Sequence, residues 1–162
     1  ILKDNQNNFE AQVANDNSIG QIVISGKTRD LQILSEFLKE KKIKNIKLPV
    51  SAPFHCNLMS KASEVMKKEL QKIDFKQPKN ILISNVTADE ISNIEDLKNL
   101  LINQIENRVR WRESILNMIN KGVNQFIEIG PGNVLSGLVK RINKDVKISS
   151  INSQSDIQSL NI

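Results

Sequence analysis

The sequence predicts an α/β fold with a largely parallel sheet, and three observations support this class. Short β-branched segments at 21–25 and 125–129 are typical of strands. Longer segments lie between them, and their apolar residues recur at the spacing of amphipathic helices. A Gly-Pro-Gly turn at 130–132 then joins a strand directly to a helix. Strands that alternate with helices in this way favour parallel pairing.

The first half of the chain predicts a hairpin, a helix and a further strand. We expect two short strands between residues 9 and 26, around a turn at 14–20 that is rich in Asn, Asp, Ser and Gly. Residues 28–41 place apolar side chains on one helical face. A strand is expected at 43–48, and a loop bounded by prolines should follow it at 49–56.

The second half alternates between helical and strand patterns. The predicted helices span 57–73, 96–106, 111–121 and 133–141. The predicted strands span 81–84, 125–129 and 146–151. The helix at 57–73 should bury one apolar face, and the strand at 81–84 should be buried as well.

Composition excludes several classes of protein. No apolar run approaches the roughly 18 residues of a membrane span, so we expect no membrane integration. The sequence does not open with a basic and then apolar leader, so we expect no secretion. The single cysteine, Cys56, excludes an internal disulfide framework and favours a reducing compartment such as the cytoplasm. The net charge is +5, but arginine is scarce and aromatic residues make up only 4%, so we expect no nucleic-acid partner.

His55 is the most reactive candidate in the chain. It is the only histidine and lies in the proline-bounded loop, where it is either a general base or a structural surface residue. No G-x-S-x-G elbow supplies a nucleophile within these residues, and no ligand spacing supports a metal site. The turn at 130–132 is either a phosphate-binding helix start or only a tight turn.

Five segments together resemble the C-terminal half of the malonyl-CoA:acyl-carrier-protein transacylases, the acyltransferases of fatty acid biosynthesis. They occur in the family's order and extend over nearly the whole chain. They are VANDN at 13–17 with GQIVISG at 20–26, LPVSAPFHC at 48–56 with LM at 58–59, SNVTA at 84–88, Gln104 with VRWRES at 109–114, and FIEIGPG at 126–132 with VLSGL at 134–138.

The resemblance implies a two-part architecture. The chain would be the C-terminal part of an α/β-hydrolase-like acyltransferase core, together with part of an inserted ferredoxin-like subdomain. Residues 1–48 would form the partial small subdomain, and residues 49–162 would form the C-terminal part of the core.

The resemblance also implies a ping-pong transfer without a cofactor. A serine in a G-H-S-x-G elbow takes malonyl from malonyl-CoA and passes it to the phosphopantetheine thiol of acyl carrier protein. His55 matches the catalytic histidine, and Gln104 matches the position whose main-chain carbonyl orients it. The serine elbow of the family lies upstream of Ile1, so we expect a fragment that is inactive alone. If the gene is split, the N-terminal half would be a partner.

Substrate and partner contacts follow from the same resemblance. Asn15 and Asn17 match residues that line the acyl cleft, and the ring of Phe54 favours malonyl over its α-methyl analogue. Lys44 matches a basic position that docks the acidic carrier protein, with Lys42 and Lys47 beside it.

Two other interpretations stay open from the sequence. The chain could be a non-catalytic remnant or carrier-protein-binding module that keeps the fold. It could also be a basic interaction module unrelated to acyl transfer, since its lysine clusters are typical of a solvated face or of a docking patch for an acidic partner.

Overall fold

The computed structural model describes residues 10–159. It contains four strands and six α-helices in these residues, and a 3₁₀ turn at Asn57–Met59 leads into the second helix. In chain order they are β1 (Ala11–Ser18), β2 (Gln21–Gly26), α1 (Thr28–Glu40), α2 (Ser60–Gln71), α3 (Ile94–Asn103), α4 (Trp111–Asn120), β3 (Gln125–Ile129), α5 (Val134–Ile142), β4 (Lys147–Ile151) and α6 (Gln154–Gln158).

The described strands form two separate two-stranded sheets. β1 and β2 are an antiparallel hairpin, and β3 and β4 are a parallel pair joined through α5. The antiparallel pair is the hairpin expected between residues 9 and 26, and the parallel pair agrees with the pairing expected from alternating strands and helices, although the described strands do not join into one sheet. The predicted turn at 14–20 is also too long, because β1 continues to Ser18 and Gly20, at φ 77°, completes a turn of two residues. Phe9, where that prediction began, lies outside the described residues.

Two predicted strands are not formed. Residues 43–48 have no strand partner within residues 10–159, and their apolar side chains stay in solvent, with Ile46 75% exposed. Asn45 instead fastens this segment to α1, because its side chain bonds the Ser35 hydroxyl at 2.6 Å. Residues 81–84 make one antiparallel bridge, Ile83 with Glu90, and Ile81 is 72% exposed rather than buried. A strand needs a paired neighbour, which alternation in the sequence cannot supply.

The five helices that the spacing predicts are found, with ends that shift by a few residues, and the short helix α6 was not predicted. α4 lies at the centre of the packing, because Ile115 on its inner face is completely buried. Bidentate bonds from Arg112 on α4 to Asp16 on β1, the shortest at 2.8 Å, join this helix to the hairpin. The amide of Asp16 also donates to Val109 just before α4, at 2.9 Å.

Several apolar side chains remain uncovered in the described residues. The face of α2 that was expected to be buried leaves Val65 61% exposed, and Ile129 at the end of β3 is 79% exposed. No helix among residues 10–159 combines the length and the apolar character needed to cross a bilayer.

Candidate functional site

The loop that carries His55 is held by its own backbone and by β1. His55 itself has φ 59°, a left-handed conformation in which histidine is more frequent than most side chains. On one side, the thiol of buried Cys56 donates to the Pro53 carbonyl at 3.1 Å. On the other side, the amide of Asn57 donates to the side-chain oxygen of Gln12, on β1, at 2.8 Å. The loop therefore presents the imidazole from a fixed backbone.

The His55 ring meets the main chain at the end of α3. Its Nδ1 lies 2.6 Å from the carbonyl oxygen of Gln104, which is 49 residues further along the chain. A carbonyl oxygen only accepts hydrogen bonds, so Nδ1 must carry the proton. In the neutral ring this leaves the Nε2 lone pair free to take a proton from another group. The half-buried ring thus has the arrangement of a general base.

Gln104 is available for this contact because α3 has just ended. The last carbonyls of a helix have no partner within it, so they can accept bonds from elsewhere. The amide of Gln104 still bonds the Leu100 carbonyl at 3.0 Å, which keeps the residue on the helix end. Its side-chain oxygen accepts a bond from Nδ2 of Asn85 at 3.3 Å.

Asn85 belongs to a turn at 84–90 that is fastened to α4. The Arg110 amide donates to the Asn85 carbonyl at 2.8 Å, and the Arg110 guanidinium donates to the Thr87 carbonyl at 2.9 Å. The same guanidinium bonds the carboxylate of Glu113, and this hydrogen bond, followed by charge attraction, lowers the pKa of Glu113 although burial opposes it. The turn is thus connected to α4 through Arg110.

Asp89 lies near the end of the same turn, and its carboxyl group is unusually acidic. A bond from the Glu90 amide, followed by bonds from Lys121 and Asn117, lowers the pKa of Asp89 from its ordinary 3.8 to about 2. The pKa of Asp89 is lower in the folded chain than in the unfolded chain, so the ionised carboxylate stabilises the fold at any pH above the unfolded-state pKa. This stabilisation disappears as the pH falls from about 4 towards 2.

We expect Asp89→Asn to lower the unfolding free energy at pH 7, and the deficit to disappear between about pH 4 and pH 2. Urea melts of both proteins across this range measure the difference. Asp145→Asn, at another exposed aspartate, is the control for the loss of one surface carboxylate. A deficit that stays constant with pH would contradict the assigned pKa.

Asn15 and Asn17 lie on β1, and both are half-buried. Asn15 forms a parallel bridge with Val109, which places it beside the segment between Gln104 and α4. Residues 14, 16 and 18 alternate with them and are buried. The strand thus separates a buried face from a partly open one, and the two asparagines belong to the open one. No hydrogen bond joins either side chain to His55 within the described residues.

Phe54 and the three lysines are on the surface. Phe54 precedes His55 and is 47% exposed. Lys42, Lys44 and Lys47 are all exposed in the segment that follows α1, which Asn45 fastens to that helix. The structure therefore separates the predicted residues into a histidine–carbonyl pair, a strand with two asparagines, and a basic surface segment.

The turn at 130–132 is closed by protein groups. The carboxylate of Glu128 accepts bonds from the amides of Leu135 and Ser136, at 3.0 and 2.7 Å, at the start of α5. The bond from the Ser136 amide is the main reason that the pKa of Glu128 is lowered. Because two amides at this helix start already bind a carboxylate, the structure favours the tight-turn interpretation over a phosphate site.

Sequence reasoning missed the residues that support the site. Gln12, Asn85 and Glu128 are ordinary polar residues in the sequence. Gln12 and Asn85 bond residues 45 and 19 positions away, whereas Glu128 bonds the start of the helix that follows it. The SNVTA and FIEIGPG segments, which contain Asn85 and Glu128, gave a signal as part of the resemblance. Within residues 10–159, no group of His, Cys, Asp or Glu side chains is arranged to hold a metal ion.

Comparison with known proteins gives relatives of one kind. No family model matches the chain. It is 45% identical to the malonyl CoA-acyl carrier protein transacylase of Bacillus subtilis over 148 residues, which are 91% of this chain and 47% of that relative. The transacylase of Staphylococcus aureus is 38% identical over 149 residues, 48% of its length. The chain thus spans about half the length of the curated relatives it matches.

Solved structures agree with the sequence relatives. The malonyl CoA-acyl carrier protein transacylase of Clostridium perfringens matches with a TM-score of 0.89 at 40% identity, over 98% of this chain and 50% of that one. A malonyl-transacylase in complex with its type II PKS acyl-carrier protein matches with a TM-score of 0.90 at 32% identity, over 97% of this chain and 51% of that one.

The fold matches about half the length of solved malonyltransferase structures, as expected of part of an α/β acyltransferase fold. The chain is a homologue of the malonyl CoA-acyl carrier protein transacylases. Its coverage of them is consistent with the C-terminal portion that the order of the motifs indicates.

Proposed function

We propose that this chain is the histidine-bearing portion of an enzyme that transfers malonyl from malonyl-CoA to the phosphopantetheine thiol of acyl carrier protein. The observation that supports this most is the 2.6 Å contact between Nδ1 of His55 and the Gln104 carbonyl. This contact leaves Nε2 able to act as a base. The relatives of the chain are named as transacylases, and such enzymes need a base. The chemistry requires no cofactor, and we propose the cytoplasm as its location and acyl carrier protein and malonyl-CoA as its partners.

In the proposed reaction, the Nε2 atom of His55 moves one proton in each half of the cycle. A serine hydroxyl from the remainder of the enzyme gives its proton to Nε2 and attacks the malonyl thioester. The coenzyme A thiolate leaves and takes that proton. The carrier thiol then gives its proton to Nε2 and attacks the malonyl-serine ester, and the serine oxygen leaves and takes the proton back. The Gln104 carbonyl stabilises the imidazolium that forms each time.

The other predicted residues have roles around this pair. Asn15 and Asn17 would line the acyl cleft through the open face of β1, and the ring of Phe54 would crowd an α-methyl group. In this proposal, residues 1–48 belong to a small subdomain and residues 49–162 to the catalytic core. Lys42, Lys44 and Lys47 would bind the acidic surface of the carrier protein.

A fusion enzyme tests the proposal directly. It joins this chain to the part of the Bacillus subtilis transacylase that the chain does not cover. We expect the fusion enzyme to transfer radiolabelled malonyl to the carrier protein, and the 162-residue chain alone to take up none, since it contains no G-x-S-x-G segment. A folded fusion enzyme that binds carrier protein but transfers nothing would instead favour the non-catalytic binding module.

We expect Lys44→Glu in the fusion enzyme to raise the KM for carrier protein by about threefold to tenfold at low salt, because it places a negative charge against an acidic partner. The KM for malonyl-CoA should not change. Steady-state kinetics with each substrate varied in turn measures both values.

Lys144→Glu makes the same charge change at an exposed position between α5 and β4. This matched control should leave both KM values near those of the parent. If the two variants raise the carrier-protein KM equally, the effect comes from net charge and the docking assignment of Lys44 is wrong.

A further inference from the structure

The orientation of His55 depends on a carbonyl that the helix alone holds weakly. Gln104 directly follows α3, and the ends of helices fray because their last carbonyls lack intrahelical partners. A small rotation of the peptide between Gln104 and Ile105 would turn the carbonyl oxygen away from Nδ1. One restraint on this peptide is the Ile105 amide, which bonds the Ile102 carbonyl at 3.2 Å, and the Gln104 side chain offers a second.

Asn85 is placed to hold the Gln104 side chain. Its Nδ2 donates to the side-chain oxygen of Gln104 at 3.3 Å, while its own carbonyl accepts the Arg110 amide at 2.8 Å. The preceding residue, Ser84, is buried, and its amide bonds the Asp89 carbonyl at 2.9 Å. The side-chain amide of Asn85 thus extends from a hydrogen-bonded turn towards the end of α3.

We propose that Asn85 is a positioning residue for His55: it holds the Gln104 side chain, so the Gln104 main-chain carbonyl stays directed at Nδ1. The proposal rests on the proposed function, in which a free Nε2 is the base. No hydrogen bond joins Asn85 to the imidazole among the described residues, and in this proposal Asn85 acts through Gln104. Without it, the ring gains access to the other neutral tautomer, in which Nε2 carries the proton and cannot accept one.

The tautomer of the imidazole is a direct readout, because the chain has a single histidine. In the full 162-residue chain, labelled with ¹⁵N and kept in alkaline buffer where the ring is neutral, long-range ¹H–¹⁵N spectra report which ring nitrogen is protonated. We expect Asn85→Ala to shift the ratio roughly fivefold towards the Nε2–H tautomer, the effect of weakening one net hydrogen bond. Asn85→Asp, which keeps the shape but loses the donor, should shift it in the same direction.

Two further variants separate positioning from a general loss of structure. Asn120→Ala, an exposed asparagine at the end of α4, should leave the ratio unchanged. Gln104→Ala keeps the main-chain carbonyl but removes the group that Asn85 binds, so it should shift the ratio as Asn85→Ala does. The double variant should shift it no further, because both changes break the same bond.

An unchanged ratio in a folded Asn85→Ala or Gln104→Ala chain would overturn the proposal, and so would additive shifts in the double variant. Gln104→Ala alone decides the matter if neither Asn85 variant folds. The measurement needs no acyl donor, so its failure leaves malonyl transfer untouched. A fusion enzyme that transfers no malonyl would reject the proposed function without changing the tautomer ratio.

Discussion

Replacing His55 by alanine in the fusion enzyme should lower kcat for malonyl transfer by at least about a hundredfold, the usual scale for a general base. A hundredfold loss corresponds to about 2.7 kcal/mol of transition-state stabilisation. The KM for malonyl-CoA should change little, since the imidazole is proposed to move protons rather than to bind the acyl group. Initial rates of radiolabel transfer to carrier protein measure both quantities.

The backbone at this position requires a second variant. His55 has φ 59°, and alanine pays a steric penalty there. Asparagine tolerates this conformation and also lacks a basic nitrogen, so His55→Asn should lose as much activity as His55→Ala while the loop keeps its geometry. If His55→Asn retains the parental kcat, His55 has no role in proton transfer.

The largest expected effect on stability is at Ile115. This side chain is completely buried on α4, the helix that carries Arg112 and follows Arg110. Ile115→Ala should lower the unfolding free energy by about 3 kcal/mol, because it removes buried methyl groups and leaves a cavity. For a chain of this length, that corresponds to a fall in Tm of roughly 10 °C. Thermal and urea melts of the purified chain measure it.

The neighbouring residue is a matched control for this prediction. Leu116 follows Ile115 on the same helix but is 39% exposed. Leu116→Ala should cost about 1 kcal/mol, since more than a third of its surface already lies in water. Ile115→Val should also cost about 1 kcal/mol. Equal losses for Ile115→Ala and Leu116→Ala would mean that α4 does not pack on its neighbours as described.

Local patterns predicted the elements whose stability is largely local. The helical spacing at 111–121 and the β-branched segment at 125–129 appear in the structure as α4 and β3. Local patterns failed where pairing with another segment decides whether a strand forms. Residues 43–48 carry apolar side chains at 43, 46 and 48 but have no strand to pair with among residues 10–159, and Asn45 bonds α1 instead. The Asn and Asp residues of β1 suggested a turn, whereas the Arg112–Asp16 bonds and the Val109 bridge hold them in a strand.

The candidate site shows the same division between what short sequence patterns predict and what tertiary structure decides. The resemblance indicated His55 and Gln104 before any geometry was available, because short motifs preserve the residues that carry chemistry. Spacing alone could not have paired them, since 49 residues separate the imidazole from the carbonyl. The role of Asn85 was not predicted, although the residue lies in one of the quoted segments. Its bond to Gln104 forms only when the turn at 84–90 packs beside the end of α3. Such supporting contacts depend on tertiary structure and leave no local pattern.

The protonation of the His55 ring is the most direct test of the account. In the ¹⁵N-labelled wild-type chain at alkaline pH, we expect one neutral tautomer to dominate, with the proton on Nδ1 and an unprotonated Nε2. A ring that carries its proton mainly on Nε2 would contradict the account, because the Gln104 carbonyl would then have no donor and the enzyme would have no base.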